Sequence, residues 1–402
     1  MNLKKIRRVL IVILLVGVCV YSGYRLGEWK VNKDLRGTGI VDTSLMNEAL
    51  SHLKESYLKP EDIDATKLKY GAAQGMTQAL GDPYTSFFTP EENKRSNDDL
   101  AGFFGGVGIE LGYIDKTLAV VAPIKDSPAA KAGITAGDLI LNIKDEANNV
   151  NKDTTGISLD DAVNLIRGQK GTAVILTIYH ENEIKSRDVT LIRDTINVPS
   201  TEINWIDSGK VAVVTVSKFG EQTLSEWNKI VTEIISKKAS GVILDLRNNP
   251  GGYLQRAVDL GSEFIADGVI VKQREKSGTQ VMNVDRKGRL VGMPLVVLIN
   301  KGSASASEIL AGALRERIGV KLVGENSFGK GTVQEKQDFA GGAGIHVTIA
   351  EWLLPSGKNI HGEGLVPDVL VEYVYDEKNP KEDNQLNRAL EVLHQVELAS
   401  KK

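Results

Sequence analysis

The stretch GENSFGKGT, Gly324 to Thr332, sets a lysine between two glycines. The spacing Gly324-x-x-x-x-Gly329-Lys330 fits a phosphate-binding loop, but the next position, which should be a Ser or Thr for a metal ion, is Gly331. TVQEKQDF follows, partly β-branched and alternating, where a phosphate loop needs a helix N-terminus facing the ligand. Lys330 therefore points to other chemistry. A lysine acts as a base when its amine is neutral, which requires burial or cationic neighbours to lower its pKa from ~10.4. A partner nucleophile is offered by NKGSASASEIL, where Ser303, Ser305 and Ser307 stand among small side chains ahead of a helical segment. A hydroxyl at a helix N-terminus sits in a dipole that favours an alkoxide and a tetrahedral oxyanion. Ser305-Ala306-Ser307-Glu308 also has the S-x-x-E form of a capping box, so the pattern alone does not choose among the three serines. No histidine falls in these loops. The oxyanion would need two aimed N–H donors: PGG of DLRNNPGG offers one, and the amide after the nucleophile the other.

These loops must be held by a large frame. The chain has 402 residues, enough for two or three domains, and an apolar fraction of 42% that can build cores. A formal net charge of −3 argues against nucleic-acid binding, which needs a concentrated basic surface. The one cysteine, Cys19, excludes an internal disulfide or cysteine–metal framework. His52, His180, His346, His361 and His394 lack zinc-helix spacing, so no metal is expected.

MNLKKIRR carries four basic residues and is followed by an uncharged apolar run from Val9 to Tyr24. That is an export signal with its basic side inward. The run is short for a span of ~20 residues, although Arg25 extends it by snorkelling. Small residues before a cleavage site, or before Cys19 for lipidation, fit poorly, so an uncleaved anchor is expected over residues 1–30, with the rest outside the cytoplasm.

Residues 41 to 80 read as helical and stop at Gly81-Asp82-Pro83; the polar PEENKRSNDDLAG reads as a linker. From Gly102 short strands and glycines take over. GVGIELGYIDKTLAVVAPI reads as paired strands, SPAAKAGITAGDLILNI as helix, glycine turn and strand, and SLDDAVNLIRGQKGTAVILTIYH as a helix capped at Gly168 and a strand. FGGVGIEL, the AG-x-x-x-GD core and LIRGQKGTAVILTI together resemble a PDZ domain. The resemblance implies a loop, Phe104, Gly105, Gly106, Val107 and Gly108, whose N–H groups hold a peptide's C-terminal carboxylate, with Ile109 opening the edge strand to which the peptide adds. After residue 195, strands and helices alternate as an α/β layer fold. The buried strands GVILDLR and MPLVVLIN, and the strand VKLVGE, lead into RNNPGG, NKGSASAS and NSFGKGT, so the three loops are expected to meet at one sheet edge.

DLRNNPGG, INKGSASASEILAGAL, GENSFGKGTVQ and LPSGKNIHGEGLVPD, in that order with the PDZ domain, resemble the C-terminal processing peptidases, serine peptidases of family S41. The resemblance covers nearly the whole chain after the anchor. It implies an α/β, crotonase-like (ClpP/crotonase-type) core with an inserted PDZ domain, a partly open β-barrel with helices. The expected organisation is an anchor at 1–30, a helical region at 31–98, the PDZ domain at 99–192, the peptidase core at 193–372 and a helical tail at 373–402. Carried over by motif, Ser305 is the nucleophile, Lys330 the base and Gln334 the residue that orients the lysine. Gly251, not separable by sequence from Gly252, and Ala306 supply the oxyanion amides, and Arg167 of LIRGQKGT matches an arginine that in some relatives couples ligand binding to activity, or is a solvated arginine at a helix end. The implied function is acyl-enzyme hydrolysis of protein substrates near a free apolar C-terminus, without cofactor or nucleic acid. Homodimerisation is expected, with Asn384 to Ala399 as an amphipathic helix suited to it or to packing on its own domain, and an activating partner protein is allowed for. The alternative reading is a non-catalytic PDZ adaptor or scaffold.

Overall fold

The computed structural model of the chain describes residues 43–180, 183–374, 379 and 382–400; the apolar start read as an anchor lies outside them. Among the described residues no helix is long and apolar enough to cross a membrane. The chain divides into a unit ending at Ala72 and a larger one beginning at Ala73. In the first, helix α1 (Ser44–Ser56) has no buried residue. Helix α2 (Ala65–Gln78) follows and ends ahead of Gly81.

Strand β1 (Ser86–Phe88) is followed by helix α3 (Pro90–Ala101), which corrects the linker reading of PEENKRSNDDLAG. Its start is fixed by a capping box: the Glu92 N–H donates to Thr89 Oγ1 and the Thr89 N–H to Glu92 Oε2, with Pro90 at the first turn. Gly102 ends it in the left-handed region at φ 81°. The stretch reads as a linker because Asn93 is the one residue the helix buries, so it carries no apolar stripe.

The next module runs through β2 (Phe103–Gly106), β3 (Ile109–Ile114), β4 (Thr117–Pro123), α4 (Pro128–Lys131), β5 (Leu139–Asp145), β6 (Val150–Asp153), α5 (Leu159–Ile166), β7 (Ala173–Tyr179), β8 (Arg187–Ile192) and β9 (Asp194–Asn197). Its sheet has the order β3-β4-β5-β7-β8, with β6 on β5, and β2 pairs with β9. Alternate residues of β7 (Val174, Leu176, Ile178) turn inward onto Ile140, Ile143 and Ala162, one small core of its own. The C-cap of helix α5 is Arg167, which is extended, one residue before the expected cap at Gly168.

The last and largest module holds β10 (Thr201–Ile206), β11 (Val211–Val216), α6 (Thr223–Ser236), β12 (Gly241–Asp245), α7 (Leu254–Phe264), β13 (Val269–Glu275), β14 (Gly278–Asn283), β15 (Leu295–Ile299), α8 (Ala306–Ile318), β16 (Lys321–Gly324), β17 (Thr332–Asp338), β18 (Gly344–Leu353), β19 (Val369–Leu370) and α9 (Asn384–Ser400). The central sheet has the order β10-β11-β12-β15-β16-β19 and is parallel from β11 onward. β12 and β15 are buried at every position, as expected of parallel strands covered on both faces. Trp227, Phe264, Leu310 and Leu314 of α6, α7 and α8 cover one face; Ala389, Val392 and Leu393 of α9 cover the other. Each such fully buried aliphatic or aromatic side chain stabilises by ~1.5–3 kcal/mol. The apolar face of α9 is thus turned onto its own sheet. A second sheet, β1-β18-β13-β14 with β17 on β18, is antiparallel.

Candidate active site

The carboxyl ends of β12, β15 and β16 open into the three loops, which are tied together by main-chain and amide hydrogen bonds. Asn248 and Asn300 exchange bonds across two loops: the Asn248 N–H donates to Asn300 Oδ1 and Asn300 Nδ2 to Asn248 Oδ1, both at 2.8 Å. The Asn249 carbonyl accepts from the Ala304 N–H (3.0 Å) and the Ser307 hydroxyl (2.9 Å). The Phe328 N–H donates to the Ser303 carbonyl at 2.9 Å, joining the third loop to the second.

The three serines of SASAS have different environments. Ser303 is fully buried; its hydroxyl donates to the Leu246 carbonyl (2.7 Å) and accepts from the Asn300 N–H (3.0 Å). Ser307 is fully buried and spends its hydroxyl on Asn249. Ser305 alone of the three is half-exposed, at the N-cap of α8 with φ 55° and ψ −115°. That backbone is costly for a residue with a Cβ and persists because its surroundings over-determine it. Ala306 is the first residue of α8, so its N–H has no acceptor within the helix.

Gly251 packs against this turn. A Cβ on it would stand 2.8 Å from the Ser305 Cβ and 2.9 Å from the Ala304 carbonyl oxygen, and its φ is 103°, so only glycine allows the approach. Its N–H donates to Asn249 Oδ1 (2.9 Å), and its carbonyl accepts from the Phe219 N–H (2.8 Å). Gly252, at φ 137°, has the Phe219 carbonyl where a Cβ would go. The two glycines, inseparable by sequence, differ here in that the Gly251 N–H is already engaged by a side chain.

Glu308 does more than cap. It is fully buried, and its carboxylate accepts four hydrogen bonds. Oε2 takes the Ser305 N–H (2.8 Å) and the Lys330 N–H (3.0 Å); Oε1 takes the Gly329 N–H (2.7 Å) and the Ser327 hydroxyl (2.5 Å). The S-x-x-E pattern identifies the first of these bonds. The other three come from a loop that the spacing does not reveal.

Lys330 is half-buried, with its amine 5.0 Å from the centroid of the Tyr84 ring. Its carbonyl accepts from Trp352 Nε1 (2.7 Å), and the Gly331 N–H donates to His361 Nδ1 (3.2 Å). Burial lowers the amine's pKa below the usual lysine range, outweighing the Asp82 and Glu308 carboxylates, which favour the cation. The chain after it enters β17 directly, so the loop has no helix N-terminus for a phosphate. Lys330 and Ser305 are brought to one site but do not hydrogen-bond to each other in this arrangement. Gln334, at a bulge in β17, donates instead to Thr332 Oγ1 (3.0 Å) and Thr348 Oγ1 (3.1 Å).

In the smaller module, Phe104 and Gly105 lie in β2, and Ile109 opens β3, an edge strand with a free side. The Val107 carbonyl accepts from the Ala129 N–H and the Gly108 carbonyl from the Ile124 N–H, which shapes the glycine loop. Arg167 stacks on the Phe104 ring at 3.9 Å and lies 3.8 Å from Asp99 of α3. Just below, the fully buried Arg193, unremarked in the sequence, donates to the Leu165 and Ile166 carbonyls at the end of α5 and pairs with buried Asp145 at 2.8 Å. From α3 a chain of bonds continues to the glycines. The Asp99 carbonyl accepts from Lys218 Nζ (2.8 Å), the Leu100 carbonyl from the Glu221 N–H (2.9 Å), and between them Phe219 pairs with Gly251.

Comparison with known proteins shows the family. The profile of Peptidase family S41 matches residues 210–371 and a PDZ domain profile matches 120–179. The carboxy-terminal processing protease CtpA of Bacillus subtilis is 37% identical over 336 residues, 83% of this chain and 70% of that protein. A probable CtpA-like serine protease of Staphylococcus epidermidis is 38% identical over 323 residues, 79% of this chain and 63% of that protein. A solved structure of a putative S41 protease from Bacteroides fragilis, 16% identical, shares the fold with a TM-score of 0.54 over 86% of this chain and 96% of that one. The chain is thus a serine protease of family S41, a member of the C-terminal processing proteases, with a PDZ domain.

Proposed function

We propose that this protease is an exported, membrane-anchored endopeptidase that cuts proteins near their C-termini with a Ser305–Lys330 dyad. The observation that carries the reading is that Ser305 and Lys330 both hang by their backbone N–H groups from one oxygen of Glu308. The Ser305 hydroxyl attacks the peptide carbonyl while the Lys330 amine, its pKa lowered by burial, takes its proton. The amine product leaves with that proton, and water then releases the acyl group from the serine. The Ala306 amide and that of Gly251 serve the oxyanion; for Gly251 this means exchanging the Asn249 side chain for substrate.

The separation of amine and hydroxyl is a resting arrangement in this reading. A free apolar C-terminus enters the loop Phe104 to Gly108 and adds to the edge of β3. Arg167 then shifts against Asp99, and the bond chain through Lys218 and Phe219 carries the change to Gly251. A partner protein can bias the same path. Residues 1–30 hold the chain to the membrane, and the exposed apolar residues of α1 form a homodimer contact.

The test uses the full chain in detergent and an unfolded protein with an apolar C-terminus, followed by mass. Cleavage lost in Ser305→Ala and weakened by amidating the substrate's C-terminus is the expected result. Equal cleavage by Ser305→Ala defeats the dyad, and indifference to amidation defeats carboxylate capture.

A further inference from the structure

Lys330 has to lose its proton near two carboxylates that both favour keeping it, so its basicity depends on how well water is kept away. The side chain lying against the amine comes from far upstream. Tyr84 follows the turn Gly81-Asp82-Pro83, and its ring faces the Lys330 amine at 5.0 Å. That ring is held on several sides. His361 meets it edge-on, with centroids 6.0 Å apart at 71°. Asp82 ties the turn, accepting from the Tyr84 N–H (3.0 Å) and the Thr85 hydroxyl (2.7 Å). Buried Thr85 in turn accepts from the Thr348 N–H (3.0 Å), and β1 then pairs with β18 from Ser86 onward, opposite His346.

We propose that Tyr84 is a positioning residue for the base of this protease, its ring closing the Lys330 amine off from water. The inference rests on the Ser305–Lys330 reading and adds to it a residue from a segment outside the matched peptidase region at 210–371. The charged and titratable groups facing Lys330 are Asp82 and Tyr84 from the turn, Glu308 from α8, His346 from β18 and His361 from the loop after it. His361 accepts at Nδ1 from the Gly331 N–H, so that nitrogen carries no proton here. Burial, with Lys336 and Lys330 nearby, lowers the pKa of His346. Asp82 and Glu308 oppose release of the lysine's proton, and burial favours it. Water exclusion is left as the cause, and Tyr84 is the aromatic face that supplies it.

The experiment is a competitive acetylation series on the full chain, following the peptide that contains Lys330 by mass across pH, which needs no turnover. Tyr84→Ala, Tyr84→Leu and Tyr84→Phe are compared, with the pH profile of kcat/KM measured alongside. Tyr84→Ala is expected to move the Lys330 labelling midpoint, and the acidic limb of kcat/KM, upward by ~1 pH unit or more. Tyr84→Phe and Tyr84→Leu restore cover and keep both near wild type. A merely structural role would lower turnover at every pH without moving either midpoint. A Tyr84→Ala midpoint that stays in place, or falls because the ring had favoured the cation, overturns the proposal. Lys330→Ala separates the two readings: if it cleaves like wild type, the dyad fails, while the labelling midpoint still decides the role of Tyr84.

Discussion

Ser305 and Lys330, from two different loops, donate their backbone N–H groups to the same carboxylate oxygen, Glu308 Oε2, at 2.8 and 3.0 Å. The turn of Ser305 and the turn of Lys330 therefore share one buried anchor. Replacing it by Glu308→Gln keeps the shape and removes the charge. Each carboxylate oxygen takes two donors, so two of the four then face an NH₂, and charge-assisted bonds of ~1.5–3 kcal/mol each are weakened. The expected outcome is a loss of ~2–4 kcal/mol in denaturant unfolding and of about 10²-fold in kcat, since small misplacements have that effect. Normal kcat in a folded variant would show that the shared anchor does not set the site.

The serines make a matched set. Ser305→Ala should lower kcat/KM by ~10⁴-fold or more and leave the melting temperature near wild type. Ser303→Ala and Ser307→Ala should do the reverse, each removing a buried hydroxyl and leaving the Leu246 or Asn249 carbonyl without that donor, at ~1–3 kcal/mol. Unfolding curves and turnover on the same preparations decide it.

Lys330 has a stability signature. Its folded pKa is lowered by burial, so between that value and the unfolded ~10.4 the unfolded chain binds the extra proton and stability rises with pH. Lys330→Met should therefore be inactive yet melt higher than wild type at neutral pH, with the difference shrinking as pH climbs toward ~10.4. A difference independent of pH would mean that the amine is not desolvated in the folded protein.

The arginines of the PDZ module should separate cleanly. Arg167→Ala removes a stacked, half-exposed group and should leave the fold intact while abolishing stimulation by an apolar C-terminal peptide. Arg193→Met strands Asp145 and the Leu165 and Ile166 carbonyls, which should destabilise the module by ~3–5 kcal/mol and remove peptide binding altogether. Peptide titration with both variants, read beside their melting curves, tests the pair.

Helix α1 leaves Leu45 72% and Leu53 43% exposed. A homodimer would cover them, so Leu53→Glu should shift the sedimentation of the full chain in detergent from dimer toward monomer. A wild-type chain that sediments as a monomer at micromolar concentration rules that contact out.

Much of the site was legible because its loops are built from residues with few local options. The glycines of PGG and the small residues of SASAS mark places where chains approach closely, and the apolar runs of β12 and β15 announce a covered parallel sheet. What stayed hidden lies in contacts between distant segments. Glu308 reads as a local cap, and its bonds to Ser327, Gly329 and Lys330 have no spacing rule. Tyr84 carries no motif, and its place beside Lys330 is set by β1 pairing with β18. Helix α3 was missed because its work is done by polar caps and exposed carbonyls instead of an apolar stripe. Residue pattern alone left the three serines open, and the burial of Ser303 and Ser307 sets Ser305 apart as the half-exposed one.

The shared anchor on Glu308 also concerns timing. In the proposed reading the chain is exported unfolded, among other unfolded chains, and is itself a polypeptide that a protease can cut. Because the turns of Ser305 and Lys330 depend on one carboxylate that is placed only when β15, α8 and β16 have packed, neither turn is held in its working shape on a half-folded chain. In the proposed reading the protein is in effect its own latent precursor: the site takes shape only as the chain stops being a target, and even then it rests until a C-terminus is bound.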